Sequence, residues 1–138
     1  MLSPKQAAEG TGLEAATRLL VVDDNEDAAE LLSMMLTKAG YSVRTAFDGP
    51  SALLIATDFG PQIALLDIGL PVMDGYELGR RLRGMPRVPR LIAVTGYGQA
   101  SDQARSREAG FEAHMVKPID FEKLHRILET LHSSTPAG

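Results

Sequence analysis

Few residue types in this chain can do chemistry, and most of them are carboxylates that follow apolar runs. Leu19-Leu20-Val21-Val22 runs into Asp23-Asp24, and Ile63-Ala64-Leu65-Leu66 runs into Asp67. Leu91-Ile92-Ala93-Val94 ends at Thr95, and a short run ending at Val116 is followed by Lys117. If these ends converge, three carboxylates, a hydroxyl and an ammonium share one crevice. Two charges about 4 Å apart repel by about 4 kcal/mol at an effective dielectric near 20. Such a cluster must take up protons or bind a cation. The donors are hard oxygens with no His or Cys beside them, which selects Mg2+ or a similar ion that keeps waters and accepts a phosphate. Lys117 then suits a phosphoryl oxygen as a point charge, and Thr95 offers a hydroxyl to the same group. These parts suit phosphoryl transfer, with a carboxylate as nucleophile. Chemistry alone leaves Asp24 and Asp67 both open as that nucleophile.

The elements that would position these groups can be read in order. Arg18–Val22, Tyr41–Phe47, Ile63–Leu66, Arg90–Thr95 and Glu112–Val116 have strand character; the central run, following Gly60-Pro61, reads as a strand buried on both faces. Between them lie helical patterns. Asn25 or Asp24 caps the first, whose stripe is Ala28, Leu32, Met35, Leu36 and Ala39, with Gly40 as its stop. Asp48-Gly49-Pro50 opens the second, with Leu53, Leu54 and Ala56 inward. Asp74 and Glu77 have capping-box spacing before the third, where Leu78 and Leu82 face inward and Arg80, Arg81 and Arg83 form a solvated face. Ser101-Asp102 caps the fourth, which stops at Ala109-Gly110. Asp120 caps the fifth, with a stripe of Phe121, Leu124, Ile127, Leu128 and Leu131. Five strands alternating with five helices predict a doubly wound α/β domain with a parallel sheet covered on both sides.

Composition narrows the function classes. The 138 residues are enough for one domain, read as 18–132 with tails at 1–17 and 133–138. Apolar content of 44% and charged content of 23% suit a folded soluble chain. A net charge of -4 does not point to direct nucleic-acid binding. There is no cysteine, which excludes disulfides and thiolate metal sites and fits a cytoplasmic location. No apolar run approaches the roughly 20 residues of a membrane span, and Met1–Thr17 lacks the apolar core of a signal peptide.

LLVVDDN, ALLDIGLPVMDG, LIAVTGY and MVKPID, in that order and spacing, resemble the receiver domain of two-component response regulators, over about Leu19 to Leu131. The resemblance implies a flavodoxin-like (βα)5 fold with strand order 2-1-3-4-5. It implies Asp67 as phospho-acceptor, Asp24 as direct Mg2+ ligand, Asp23 acting mostly through water, and the Gly69 carbonyl completing the protein's share of the metal shell. It implies Thr95 as switch hydroxyl, Lys117 as the lysine on the phosphoryl group, and a cis bond between Lys117 and Pro118. The implied partners are a sensor histidine kinase or a histidine phosphotransfer protein, and a downstream protein target met through the fourth helix, fifth strand and fifth helix, with a homodimer left open. The domain is then a switch and not an enzyme in the ordinary sense, and Gly96 and Gly98 let the loop after Thr95 move.

Two positions depart from the family pattern. His114 stands where the family's switch aromatic is usual, so the ring there is polar and titratable. Gly69 has no side chain to place a water, so the lifetime of the phosphorylated state would rest more on Tyr97. The chain after Leu131 is too short for a DNA-binding domain, which suits a stand-alone regulator or the receiver of a hybrid histidine kinase. The competing readings are weaker. A flavodoxin-like cofactor binder would need a phosphate cradle where Asp23-Asp24 repels phosphate. An aspartyl phosphatase favours a second Asp where Gly69 stands. A phosphorylation-independent binding module would not need the full set of Asp23, Asp24, Asp67, Thr95 and Lys117.

Overall fold

The structure is a computed structural model that describes residues 16–96 and 103–133. The elements are β1 (Arg18–Val22), α1 (Glu26–Ala39), β2 (Ser42–Ala46), α2 (Gly49–Phe59), β3 (Ile63–Asp67), α3 (Gly75–Arg83), β4 (Arg90–Thr95), α4 (Gln103–Ala109), β5 (Phe111–Val116) and α5 (Phe121–Ser133). All strand pairs are parallel and the sheet order is β2-β1-β3-β4-β5, the doubly wound flavodoxin-like order. The expected caps at Ser101-Asp102, the turn at Tyr97 and Gly98, and the tails apart from Ala16, Thr17 and Ser133 lie outside the described residues; Ser133, expected to start the second tail, is the last residue of α5. Among the described residues, no helix is long and apolar enough to cross a membrane.

Every residue of β3 is buried, because helices cover both faces of the central strand. The two-residue period of the strands sorts the core into two layers. Leu19, Val21, Ile63, Leu65, Ile92 and Val94 face Ala29 and Leu36 of α1 and Leu124 and Leu128 of α5. Leu20, Val22, Ala64, Leu66 and Leu91 face Ala52 and Ala56 of α2 and Leu78 and Leu82 of α3. Burying each large aliphatic side chain contributes about 1.5–3 kcal/mol, which holds the strand ends in one row. Helix starts are set by short acceptors: Asn25 accepts the N–H of Ala28, Asp48 that of Ser51, Asp74 that of Glu77 and Asp120 that of Lys123.

The helix faces differ from the sequence expectation in phase. In α1 the buried residue is Ala29, not Ala28, and Met35 and Ala39 are exposed. The helix is apolar around much of its girth, so its own pattern admits more than one phase; the sheet selects Ala29, Leu32 and Leu36, three and four residues apart. In α2, Leu54 is 73% exposed while Ala52 and Ala56 are buried. Ala52 and Leu54 lie about 200° apart around a helix, so the small residues that allow close approach to the sheet turn Leu54 outward. The capping box at α3 is half made. Asp74 accepts from Glu77, but the Glu77 side chain pairs with Arg80 and Arg81 instead of returning to the cap. Strand β5 starts one residue early, at Phe111, with a register shift opposite Leu91 and Ile92. The turn at Gly110 has a positive φ of 87°, a conformation open to glycine at little cost.

Candidate functional site

The parallel sheet brings the carboxyl ends of β1, β3, β4 and β5 to one edge. Val22 pairs with Leu66, Asp67 with Val94, and Thr95 with Val116. Asp23, Asp67, Thr95 and Lys117 therefore leave the sheet side by side, where open α/β sheets form their crevice. Carboxylate oxygens of Asp23, Asp24 and Asp67 all lie within 4.8 Å of one another. Asp23 and Asp67 are 8% and 6% exposed, whereas Asp24 is exposed. The Lys117 ammonium bridges the two buried members, with Nζ 2.9 Å from Oδ2 of Asp23 and 3.1 Å from Oδ2 of Asp67.

Backbone donors hold the remaining oxygens. The Gly69 N–H donates to Oδ1 of Asp67 at 2.8 Å, and the Asn25 N–H donates to Oδ1 of Asp23 at 2.9 Å. These two contacts are missing from the sequence reading, although an Asp followed two residues on by a turn residue is the pattern that makes them. Burial pushes the Asp67 carboxyl above its usual range, and the charge of Asp23 adds to this; the Gly69 and Lys117 hydrogen bonds pull the other way without cancelling it. Burial works against the charge on Lys117, but its hydrogen bonds to Asp23 and Asp67 outweigh that and raise its pKa. The site is short of positive charge. One ammonium faces three carboxylates, all hard oxygen donors, and this donor set fits a small divalent cation.

Thr95 is 2% exposed, and among the described residues its hydroxyl has a long contact, 3.4 Å, to the Met115 carbonyl. His114 lies on β5, one register pair before Met115. Its buried Nε2 has no hydrogen-bond partner among the described residues, and neither does the hydroxyl of Ser106 on α4. The Lys117–Pro118 bond is cis. Gly69 and the rest of the loop after β3 are tied at both ends: Ile68 N–H donates to the Val94 carbonyl, and Gly75 N–H donates to the Ile68 carbonyl. A Cβ on Gly75 would sit 2.6 Å from the Asp67 carbonyl oxygen, so α3 can start this close to Asp67 only with glycine there. Between these anchors Val72 is fully exposed with φ 69°, a strained conformation for a β-branched residue. Beside Lys117 and Pro118 a cavity of about 530 Å³ opens onto Leu31, Leu32 and Met35 of α1. Leu31 and Met34 are 59% and 68% exposed.

The family model of the response regulator receiver domain matches residues 19–129. The chain belongs to that family. The receiver is 38% identical over 107 residues to the response regulator PleD of Caulobacter vibrioides, covering 76% of this chain and 24% of that protein. It is 35% identical over 107 residues to sporulation initiation phosphotransferase F of Bacillus subtilis, covering 78% of this chain and 86% of that one. The match to the regulator RpaA of Synechocystis covers 45% of that protein, so the receiver spans less than half of some relatives it matches. Among solved structures it resembles the receiver domain of a Pseudomonas aeruginosa sensor histidine kinase, determined with a magnesium ion coordinated in its active-site cleft. That likeness has TM-score 0.77 and 30% identity over 87% of this chain and all (100%) of the other. A chemotaxis protein of Vibrio cholerae superposes with TM-score 0.79 at 27% identity, covering 85% and 99%. Receivers of this family are signalling switches of two-component systems and not enzymes in the ordinary sense.

Proposed function

We propose that this receiver takes a phosphoryl group from a phosphohistidine onto Asp67 and changes conformation in response. The observation that carries the reading is the cluster of three carboxylates within 4.8 Å of one another, of which Lys117 reaches the two buried members. Asp23, Asp24, Asp67 and the Gly69 carbonyl are the residues that would hold Mg2+, which when bound supplies charge compensation for an incoming phosphoryl group. An Asp67 oxygen attacks phosphorus, an O–P bond forms, and the N–P bond to the donor histidine breaks with its electron pair left on the imidazole. Lys117 moves from Asp67 to the new phosphoryl oxygens, and the Thr95 hydroxyl, weakly bonded at rest, donates to them.

The response follows from what Thr95 and Lys117 leave behind. Moving the Thr95 side chain vacates space beside His114, whose Nε2 has no partner among the described residues, so the ring is free to reorient. That shift biases the face made by α4, β5 and α5, where a downstream protein reads the state. The exposed Leu31 and Met35 lining the cavity suit a helical phosphodonor, a histidine kinase or phosphotransfer protein, docking next to Asp67. Residues 18–132 form the working unit, acting in the cytoplasm, either alone or joined to further domains through the tails.

The test is intact mass after incubation with Mg2+ and a small acyl phosphate. One added phosphoryl group, absent in Asp67→Asn and in chelator, supports the reading. Absence of the adduct together with failure to form a beryllofluoride complex in Mg2+ rejects it in favour of a phosphorylation-independent binding module.

A further inference from the structure

The opposite pole of the sheet carries the reverse charge. Arg18 opens β1 and Arg90 opens β4, the two strands that flank β3, so their backbones start about 10 Å apart at two strand spacings. Arg87 lies just ahead of β4. With His132 of α5 these residues line a cavity of about 370 Å³ at the amino ends of the strands. We infer that this cavity is a binding site for a pyrophosphate group carried on a small organic body, the class of a nucleoside diphosphate.

Three observations carry this. The first is the placing of like charges. Arg18 donates through Nε to the Gly60 carbonyl at 2.8 Å, and the Arg87 guanidinium lies against the same glycine, 2.3 Å from where a Cβ would stand. Two arginine side chains thus meet at Gly60, in a chain whose net charge is -4. The second is the shortage of anions. Arg90 is engaged by Glu112 at 3.6 Å and donates through Nη1 to the Leu131 carbonyl at 2.7 Å, whereas no ion pair among the described residues engages Arg18 or Arg87. Guanidinium forks match phosphate oxygens two at a time. The third is size and lining. The volume falls in the range of ligand pockets, above the ~30 Å³ share of one water, and exceeds what a single phosphate fills. Ile63, Val88 and Leu131 form an apolar wall for the uncharged part of the molecule. The site is separated from Asp67 by the length of β3, so it stands or falls independently of the phosphoryl-transfer reading.

The experiment is amide chemical-shift titration of the whole chain in EDTA with ADP, inorganic pyrophosphate and inorganic phosphate, on wild type, Arg87→Glu and Asp67→Asn. Arg87 is exposed, so its reversal leaves the core intact, and circular dichroism checks this. The expected result is a saturable shift of Gly60, Ile63, Val88 and Leu131 amides with ADP. It is retained in Asp67→Asn and weakened at least about tenfold in Arg87→Glu. A shift with pyrophosphate but none added by the nucleoside narrows the ligand to the bare anion and overturns the organic body. Shifts that scatter over the surface, follow ionic strength alone, or persist unchanged in Arg87→Glu overturn the site.

Discussion

Replacing Asp24 by Asn should make the metal-free protein more stable. The folded chain gathers three carboxylates within 4.8 Å of one another and compensates them with one lysine. Asp24 is the exposed member and has no ion pair with Lys117 among the described contacts. Its repulsion with each of Asp23 and Asp67 at that separation is about 0.9 kcal/mol in bulk water and about 3.5 kcal/mol at an effective dielectric near 20. Exposure puts the true value toward the lower figure. Attraction to Lys117, and the position one residue before the cap of α1, worth about 0.3–1 kcal/mol through the helix dipole, offset part of it. The net expectation is a gain of about 1 kcal/mol, or roughly 4 °C in Tm for a domain of this size. Urea unfolding at low salt in EDTA measures it. Asp27→Asn is the control, because it removes the same formal charge from the first turn of α1 and should be neutral or slightly destabilising. In Mg2+ the order should reverse, since wild type gains stability from the ion by mass action and Asp24→Asn gains less. If Asp24→Asn is less stable than wild type in EDTA, or gains as much from Mg2+, the cluster is not the repulsive cation site described.

Three further outcomes follow from the geometry. Gly75→Ala should disturb the loop after Asp67 and lower the midpoint of unfolding, because the new methyl meets the Asp67 carbonyl at 2.6 Å and the Ile68 Cα at 2.7 Å; NMR shifts confined to the far side of α3 would contradict this. Val72→Gly should stabilise by about 1 kcal/mol, as relief of a positive φ outweighs the added freedom of the unfolded chain; a loss in denaturant midpoint would mean the turn is not strained. Burial, helped by the charge of Glu129, raises the Tyr41 phenol above 10.0. The folded state then keeps a proton that the unfolded chain gives up first. Stability from this group is full below the unfolded pKa and is lost as pH rises through the folded one. Alkaline unfolding should therefore be less steep with pH in Tyr41→Phe, and an unchanged slope would refute the assignment.

Much of the site was legible because its chemistry sits at strand ends. A short apolar run that stops at Asp or Thr states both the strand and the residue that leaves it, and alternation with helices then requires a parallel sheet. Asp23, Asp67, Thr95 and Lys117 could be listed in sequence order on that ground alone, whereas a choice of role between Asp24 and Asp67 is implied by the family resemblance and not by the chemistry. Helix phase was less legible. Ala28 and Ala29, or Leu53 and Leu54, are equally apolar, and only the fit against the sheet decides which one is buried.

The sequence by itself determined the element order, the strand residues and the inventory of charged groups, because these depend on local periodicity and on residue type. The tertiary structure decided which charges meet. It gathered three carboxylates at the carboxyl edge with one ammonium on the two buried ones, gave both buried aspartates a backbone N–H, and collected three arginines at the amino edge. Residues dozens of positions apart become neighbours only through strand order and register, and neither is encoded in any single stretch of the chain.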